Sequence, residues 1–234
     1  MGPGPAVSGV QAPIRVLLVD DQELFREGVQ VIVDAQTGME VVGAAGDGFA
    51  AVRLVDELTP DVVLMDIRMP EMDGVEATRQ IFSVDRVARR EVAVRVVVLT
   101  TFNLDDRAAT AIRHGASGFL LKDTTPAQLH DAIRTVHAGN AVLAPTDLSV
   151  LLEGRFRSQA PTPPAYLSLT GKELEVFSAA ARGLSNTEIA GLVFASESTV
   201  KTHVGAILRK LGLRDRVQIV VFAHEHGLVG PATR

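Results

Sequence analysis

The chain has 234 residues, of which 47% are hydrophobic and 22% charged, and this composition is typical of a globular protein with one or two domains. No apolar run approaches the ~18 residues that a membrane span needs, and the absence of cysteine excludes disulfides and thiolate metal sites. We therefore expect a cytoplasmic protein without membrane contact. Residues 1 to 12 form a Gly/Pro/Ala tail without a basic start, which predicts disorder and no secretory signal.

Residues 13 to 139 alternate strand and helix patterns, which predicts an α/β doubly wound five-stranded parallel sheet with helices on both faces. The predicted strands are Ile14 to Val19, Glu40 to Ala44, Asp61 to Met65, Val94 to Leu99 and Gly118 to Leu121. The first predicted helix has Leu24, Val31 and Ile32 on one face, and the others are Ala50 to Leu58, Gly74 to Phe82, Asp105 to His114 and Thr125 to His137. The charged segment Ser83 to Arg90 is predicted to be an exposed loop with no chemistry.

Residues 140 to 166 are predicted to be a linker, with a Pro-rich end and a short helix from Thr146 to Glu153. Residues 167 to 234 change character, because strand patterns vanish and helix-start signals follow one another, which predicts an all-α domain. Capping boxes begin at Thr170 and Ser185, and the next helix is capped by Ser196 or Ser198. The predicted helices lie near 171 to 182, 186 to 193, 198 to 211 and 215 to 226, with Gly183 and Gly212 at helix ends.

Chemical groups follow the predicted strands at the same position, just past each strand end. Asp20 and Asp21 follow the first strand, Asp66 the third, Thr100 the fourth and Lys122 the fifth. Because open parallel sheets carry their sites at the carboxyl edge, these side chains are expected to converge. Clustered carboxylates repel one another unless a cation lies among them, and Mg²⁺ prefers such oxygen ligands. The set has the nucleophile, metal, charge and donor that phosphoryl transfer to an aspartate needs.

These residues, with Pro70 and Gly74, resemble the receiver domain of two-component response regulators. The resemblance implies that Asp66 accepts a phosphoryl group from a sensor histidine kinase, and that Lys122 binds the phosphate. It further implies a switch pair, Thr100 and Phe119, and a Mg²⁺ site made by Asp20, Asp21, Asp66 and the main-chain carbonyl of Arg68. Bulky Phe102, two residues beyond Thr100, is expected to hinder water and slow self-hydrolysis.

The C-terminal part resembles a LuxR/NarL-type helix-turn-helix domain, on the runs Leu169–Phe177, Gly183–Ala190, Ser198–Val204 and Lys210–Gly212. Residues 1 to 140 carry 13 basic against 20 acidic side chains, whereas residues 141 to 234 carry 10 against 8. The local basic stretch at Lys201, Arg209, Lys210, Arg214 and Arg216 is typical of a DNA-backbone contact, although a solvated helix face would look the same.

By resemblance, Asn186 to Val193 supports the helix Thr199 to Leu211, which enters the major groove. His203 is either a phosphate contact or a structural histidine. Since Gly205 cannot read a base, either the reading side chains shift to Thr199, Lys201 and Thr202 or the helix approaches DNA more closely. The resemblance implies DNA contacts from Thr199, Lys201, Thr202, His203, Arg209 and Lys210, with Val200, Val204, Ile207 and Leu211 buried.

The sequence thus predicts a phosphorylation-dependent DNA-binding transcription regulator that dimerises when phosphorylated and is not an enzyme beyond slow self-dephosphorylation. Two alternatives remain open. An aspartyl-phosphate phosphatase would usually need an acid two residues after the nucleophile, where this chain has Arg68. A regulator that responds to a ligand without phosphorylation is disfavoured by the intact acidic set.

Overall fold

The computed structural model describes residues 12–90, 92–101, 106–140 and 161–228. The predicted N-terminal tail up to residue 11, the predicted helix from Thr146 to Glu153, the linker up to residue 160 and Phe102 lie outside the described residues. Within the described part of the chain, no helix combines the length and the apolar character needed to cross a membrane.

A five-stranded sheet of parallel strands forms the first domain, in the order β2-β1-β3-β4-β5. The predicted strands are confirmed to within one residue at each end. The central strand β3 is buried at every position, because each of its residues faces a helix layer on one side or the other. The strands are β1 Ile14–Val19, β2 Met39–Ala45, β3 Val62–Asp66, β4 Arg95–Thr100 and β5 Gly118–Leu121.

Helices cover both faces of this sheet, as the doubly wound prediction requires. On one face α2, α3 and α5 pack against the layer that contains Val63, Met65 and Val98. On the other face α1 and α6 pack against Leu64 and Leu99. The helices of this domain are α1 Glu23–Asp34, α2 Gly48–Leu58, α3 Gly74–Ile81, α4 Val84–Arg89, α5 Asp106–His114 and α6 Pro126–His137.

The predicted inner face of α1 is wrong in part. Leu24 and Val31 are 83% and 70% exposed, whereas Val29 and Val33 are buried against the sheet. Apolar residues occur on several sides of this helix, so periodicity alone does not identify the packed face. The buried pair is four residues apart, the spacing that places two side chains on one helical stripe.

The segment Ser83 to Arg90, predicted to be an exposed loop with no chemistry, contains a short helix. Residues Val84–Arg89 form α4, and the Arg90 side chain that follows is only 9% exposed. Arg90 donates to the Ile81 carbonyl at 2.7 Å and pairs with Asp56 at 2.7 Å. These partners precede Arg90 by 9 and 34 residues, and the more distant one lies on another helix. A local pattern therefore does not reveal the burial of Arg90.

Helices alone build the second domain as far as it is described. Capping boxes at Thr170 and Ser185 are confirmed, Ser196 caps the following helix, and Gly212 ends that helix in the left-handed conformation. The domain begins inside the stretch predicted as linker, where the Tyr166 ring packs edge-on against Phe177 at 5.1 Å. The helices are α7 Pro164–Leu167, α8 Gly171–Ala181, α9 Asn186–Val193, α10 Glu197–Leu211 and α11 Arg216–Glu225.

The two domains touch through α11. Its residues Val217, Val220 and Val221 belong to the same apolar cluster as Ile112 of α5. Gln218 donates to the Ile112 carbonyl at 3.4 Å. At the start of α11, the buried Asp215 accepts a hydrogen bond of 2.7 Å from the Ser117 hydroxyl of the first domain.

Candidate functional site

The predicted acidic side chains do lie together at the carboxyl edge of the sheet. Oxygen atoms of Asp20, Asp21 and Asp66 are all within 4.8 Å of one another. The Lys122 ammonium lies 2.6 Å from Asp20 Oδ2 and 3.0 Å from Asp66 Oδ2. This arrangement follows from the topology, because β1, β3 and β5 run in the same direction and deliver their last residues to one edge.

Thr100 is the last residue of β4 and is buried beside this cluster. The Thr100 carbonyl accepts a hydrogen bond from the Lys122 main-chain N–H at 2.8 Å. The preceding residue, Leu99, is paired with Asp66 in the sheet register. Phe119 is half-buried and packs against the core that lies under α3 and α5. The roles of Thr100 and Phe119 as a switch pair stay predictions.

The turn after β3 holds Asp66 in place through backbone contacts. The Arg68 main-chain N–H donates to the Asp66 carboxylate, while the Arg68 side chain is exposed. Gly74 follows so closely that a Cβ atom there would overlap the Asp66 main-chain carbonyl oxygen. Asp73 caps α3 by accepting from the Glu76 N–H at 2.9 Å. Local sequence chemistry thus fixes the end of β3 to the start of α3.

Two residues of α1 that were not predicted also belong to the site. The Lys122 ammonium lies 4.8 Å from the centre of the Phe25 ring, a cation–π contact. Arg26 donates to the Asp20 main-chain carbonyl at 2.5 Å. The signal was present in the sequence, because a helix that starts two residues after Asp21 must place its first turns beside that carboxylate.

The charges of the site act on one another. Burial raises the pKa of the Asp66 carboxyl, and the Asp20 charge adds to this, while the hydrogen bond and charge of Lys122 and the Arg68 N–H act in the opposite direction. Burial opposes the charged form of Lys122, but hydrogen bonds and charges from Asp20 and Asp66 outweigh it and raise the pKa of Lys122 above its ordinary value. The ammonium therefore stays charged near neutral pH.

The donor set fits a hard divalent cation. Three carboxylates face one ammonium, so the cluster keeps an excess of negative charge even when Lys122 is protonated. All candidate ligand atoms are oxygens, which Mg²⁺ prefers over nitrogen or sulfur. Asp20, Asp21 and Asp66 are the residues that could hold this ion, and the predicted main-chain ligand at Arg68 stays a prediction.

In the second domain, the predicted reading surface is mostly exposed. Thr199, Lys201, Thr202 and Arg209 are exposed on α10, and His203 is half-buried. A Cβ atom at Gly205 would meet nothing within 4 Å, so this side of the helix is open. Val200 and Ile207 are fully buried, as predicted for the opposite face, and Val204 and Leu211 pack against them.

Lys210 has a partner inside the domain. Its ammonium lies 2.6 Å from Glu173 Oε2 and 3.3 Å from the Ser168 carbonyl, which ties the end of α10 to the start of α8. The predicted DNA contact of Lys210 stays a prediction, but its ammonium already has a structural role. The sequence did not reveal this pair because its members are 37 residues apart.

The basic stretch that suggested a DNA-facing surface is smaller than its sequence implied. Arg216 is buried and donates to Asn186 Oδ1 at 2.6 Å and to the Leu184 carbonyl. Arg214 lies over the Phe82 ring at 3.7 Å, in the contact between the domains. Lys201 and Arg209 are therefore the exposed basic residues of α10 for which the described residues show no comparable structural contact.

Comparisons with known proteins support the assignment of both domains. The family model described as the response regulator receiver domain matches residues 16–134, and the model of bacterial regulatory proteins of the luxR family matches residues 167–223. The uncharacterized transcriptional regulatory protein YxjL of Bacillus subtilis is 44% identical over 218 residues, covering 92% of this chain and 97% of the relative. The transcriptional regulatory protein LiaR of the same species is 42% identical over 216 residues, covering 92% and 99%.

Among solved structures, a LuxR-family two-component response regulator from Aurantimonas sp. SI85-9A1 is similar with a TM-score of 0.53 and 35% identity, covering 62% of this chain and 99% of that chain. The signal receiver domain of NarL from Mycobacterium tuberculosis is similar with a TM-score of 0.50 and 35% identity, covering 56% of this chain and 100% of that chain. The sequence motifs, the parallel sheet with its acidic edge and these matches all agree. The chain belongs to the two-component response regulators that join a receiver domain to a LuxR-type DNA-binding domain, and it is a DNA-binding transcription regulator.

Proposed function

We propose that this regulator accepts a phosphoryl group on Asp66 from a phosphohistidine of a sensor kinase. The observation that carries the proposal is the cluster of Asp20, Asp21 and Asp66 with Lys122 paired to two of them. In the transfer, a bond forms between phosphorus and an Asp66 carboxylate oxygen while the P–N bond breaks. The electron pair of that bond leaves with the imidazole, and the product is an acyl phosphate.

Each residue of the cluster has a distinct task in this step. Asp20, Asp21 and Asp66 would hold Mg²⁺, which would supply positive charge to offset that of the phosphoryl oxygens. Lys122 exchanges its carboxylate contacts for a phosphoryl oxygen, since the new group brings up to about two negative charges. The Thr100 hydroxyl donates to another phosphoryl oxygen, and the movement of Thr100 lets Phe119 change its position.

We propose that the protein is a phosphoryl acceptor that at most dephosphorylates itself slowly. The exposed side chain two residues after Asp66 is Arg68, which carries no proton-accepting carboxylate to activate water. This point disfavours a phosphatase that turns over small esters. We further place the protein in the cytoplasm, where a kinase domain and DNA are both accessible to it.

We propose that phosphorylation favours a dimer. A dimer presents two copies of α10 to two half-sites about one helical turn of DNA apart. The exposed Thr199, Lys201, Thr202 and Arg209, with His203 beside them, would contact DNA. In the present arrangement α11 lies against α5, so part of the α5 surface is already in contact with the output domain.

The first test is the acceptor itself. Acetyl phosphate and Mg²⁺ should label the full-length protein once, and the Asp66→Asn variant should take up no label. The matched control is Asp131→Asn, which removes an exposed carboxylate on α6 and should leave labelling intact. Undiminished labelling of the Asp66→Asn protein would place the acceptor elsewhere, and steady release of phosphate from a small ester would favour the phosphatase.

The second test concerns DNA. Lys201→Ala removes an exposed ammonium from α10, so the affinity should fall on every DNA sequence. The slope of log affinity against log salt should decrease in magnitude by about one, because one phosphate contact is lost. Arg182→Ala is the matched control, because Arg182 is exposed at the end of α8 and donates within its own helix, to the Ser178 carbonyl at 3.2 Å. Equal losses in both variants, measured by fluorescence anisotropy at several salt concentrations, would contradict the assignment of α10.

A further inference from the structure

An arginine-lined cleft of about 480 Å³ lies beside α2 and α4. It is formed where α2 ends and just before β4 begins, and therefore opens near the amino ends of the strands, away from Asp66. Its volume lies within the roughly 300–1,000 Å³ that is usual for small-molecule sites. The described residues that line it are Asp56, Thr59, Arg86, Arg89, Arg90 and Val92.

The cleft carries more positive than negative charge. Arg86 and Arg90 both pair with the single carboxylate of Asp56, so one negative charge serves two guanidinium groups. Arg89 adds a third guanidinium, and it is exposed at the end of α4. Among the described lining residues, three cationic side chains around one carboxylate leave an excess of about two positive charges, which an incoming anion would offset.

Arg90 is the group whose environment most clearly needs another partner. Its side chain is only 9% exposed, its two terminal nitrogens bind Ile81 and Asp56, and its Nε is buried with no hydrogen-bond partner among the described residues. Burial lowers the pKa of this guanidinium, because removal from water disfavours the charged form. A buried donor without a partner is unfavourable, because it has lost its hydrogen bond with water.

The cleft also lies close to the contact between the two domains. Arg90 donates to the carbonyl of Ile81, and the next residue, Phe82, carries the guanidinium of Arg214 on its ring. Burial lowers the pKa of Arg214, the charge of Asp215 acts in the opposite direction, and the charge of Arg90 adds a smaller lowering. The two guanidinium groups therefore repel each other across the domain boundary.

We propose that this cleft binds a phosphate group, either free phosphate or the phosphate of a small monoester. The arginine fork matches phosphate oxygens in geometry and charge. The cleft has more room than one phosphate ion requires, and Val92 supplies an apolar wall for an organic part. The site uses no residue of the Asp66 cluster, so it stands independently of the proposed phosphoryl transfer.

The test is calorimetric titration of the full-length protein without Mg²⁺, using inorganic phosphate, glycerol 3-phosphate and AMP, with sodium chloride at equal ionic strength as the reference. Phosphate-bearing titrants should show saturable binding beyond chloride. Replacing Arg86 and Arg89 together by Gln should weaken it at least tenfold. Arg53→Gln is the matched control, because this arginine is exposed on α2 and pairs only locally, with Glu57.

The titrants distinguish the two sources of phosphate. A monoester that binds at least tenfold more tightly than inorganic phosphate would assign the site to a phosphorylated metabolite, and equal affinities would assign it to free phosphate. If the double variant fails to fold, Arg89→Gln alone still tests the site, since Arg89 is exposed. No saturable binding, equal weakening by Arg53→Gln, or binding lost only in Lys122→Gln would overturn the proposal.

Discussion

At the scale of single residues, opposing influences act on the pKa of Asp66, namely burial of its carboxyl group and the partners that stabilise its charge. Burial and the neighbouring Asp20 raise its pKa, whereas Lys122 and the Arg68 N–H stabilise the carboxylate. The proposed nucleophile is thereby kept in a partly desolvated place beside the Lys122 ammonium. If Asp66 accepts a phosphoryl group as proposed, the added negative charge would favour a contact with the nearby Lys122 ammonium.

Gly74 is the residue whose substitution should disturb this balance most selectively. A Cβ atom at this position would overlap the Asp66 main-chain carbonyl oxygen, and main chain cannot turn aside as a flexible side chain can. We expect Gly74→Ala to destabilise the receiver domain by about 3 kcal/mol, the upper part of the range for overpacking, and to reduce labelling of Asp66. Urea unfolding and acetyl phosphate labelling would measure both effects.

Gly28→Ala is the control for this substitution. Gly28 is exposed in the middle of α1, and a Cβ atom there would meet nothing within 4 Å. Alanine is favoured over glycine in a helix interior, so this variant should gain about 0.5–1 kcal/mol. If Gly74→Ala were as stable and as readily labelled as Gly28→Ala, the close approach at the end of β3 would have no part in holding Asp66.

At the scale of elements, the sequence predicted what depends on local pattern. Five strands and the chemical groups at their ends could be read because a buried strand, its last polar residue and the following turn are neighbours in the chain. Arg90 and Arg216 could not be placed, because their partners Asp56 and Asn186 lie 34 and 30 residues away. Helix α1 has apolar residues on several sides, so its sequence did not show which side packs against the sheet. In the structure that side carries Val29 and Val33.

The ion pair of Glu173 and Lys210, which links α8 to α10, should stabilise the protein in a pH-dependent way. Hydrogen bonds from Lys210 and from Thr170 lower the pKa of Glu173 from 4.5 to about 2. A carboxyl group whose pKa is lowered in the folded state stabilises that state above its unfolded pKa. This stabilisation should be complete above about pH 5 and should be lost as the pH falls from about 4.5 towards 2.

Glu173→Gln isolates this charge, because glutamine can still complete the capping box with Thr170. We expect the variant to have a lower free energy of unfolding than the wild type at pH 7, and the difference to shrink between pH 4.5 and pH 2. Urea denaturation across this range is the measurement. Glu175→Gln, which removes an exposed carboxylate from the same helix, should change stability by no more than about 1 kcal/mol. A pH-independent difference for Glu173→Gln would contradict the ion pair.

At the scale of the whole molecule, the domain contact lies at the other end of the sheet from the acidic cluster. Ser117 immediately precedes β5, and β5 ends next to Lys122, so one short strand connects the cluster with the residue that binds Asp215. The exposed side of α10 is not part of this contact among the described residues. The contact therefore constrains how the two domains can be arranged and leaves the residues predicted to contact DNA uncovered.

Ser117→Ala tests that connection. Asp215 is buried, and burial raises its pKa, while the Ser117 hydroxyl is one of the groups that stabilise its carboxylate. Loss of this hydrogen bond to a charged group should cost about 1.5–3 kcal/mol, which is a tenfold to hundredfold shift away from the docked arrangement. Small-angle scattering of the unphosphorylated full-length protein should show a larger radius of gyration. Ser168→Ala, whose hydroxyl bonds only within its own turn, should leave the radius unchanged. Equal radii for Ser117→Ala and wild type would mean that this hydrogen bond does not hold the domains together in solution.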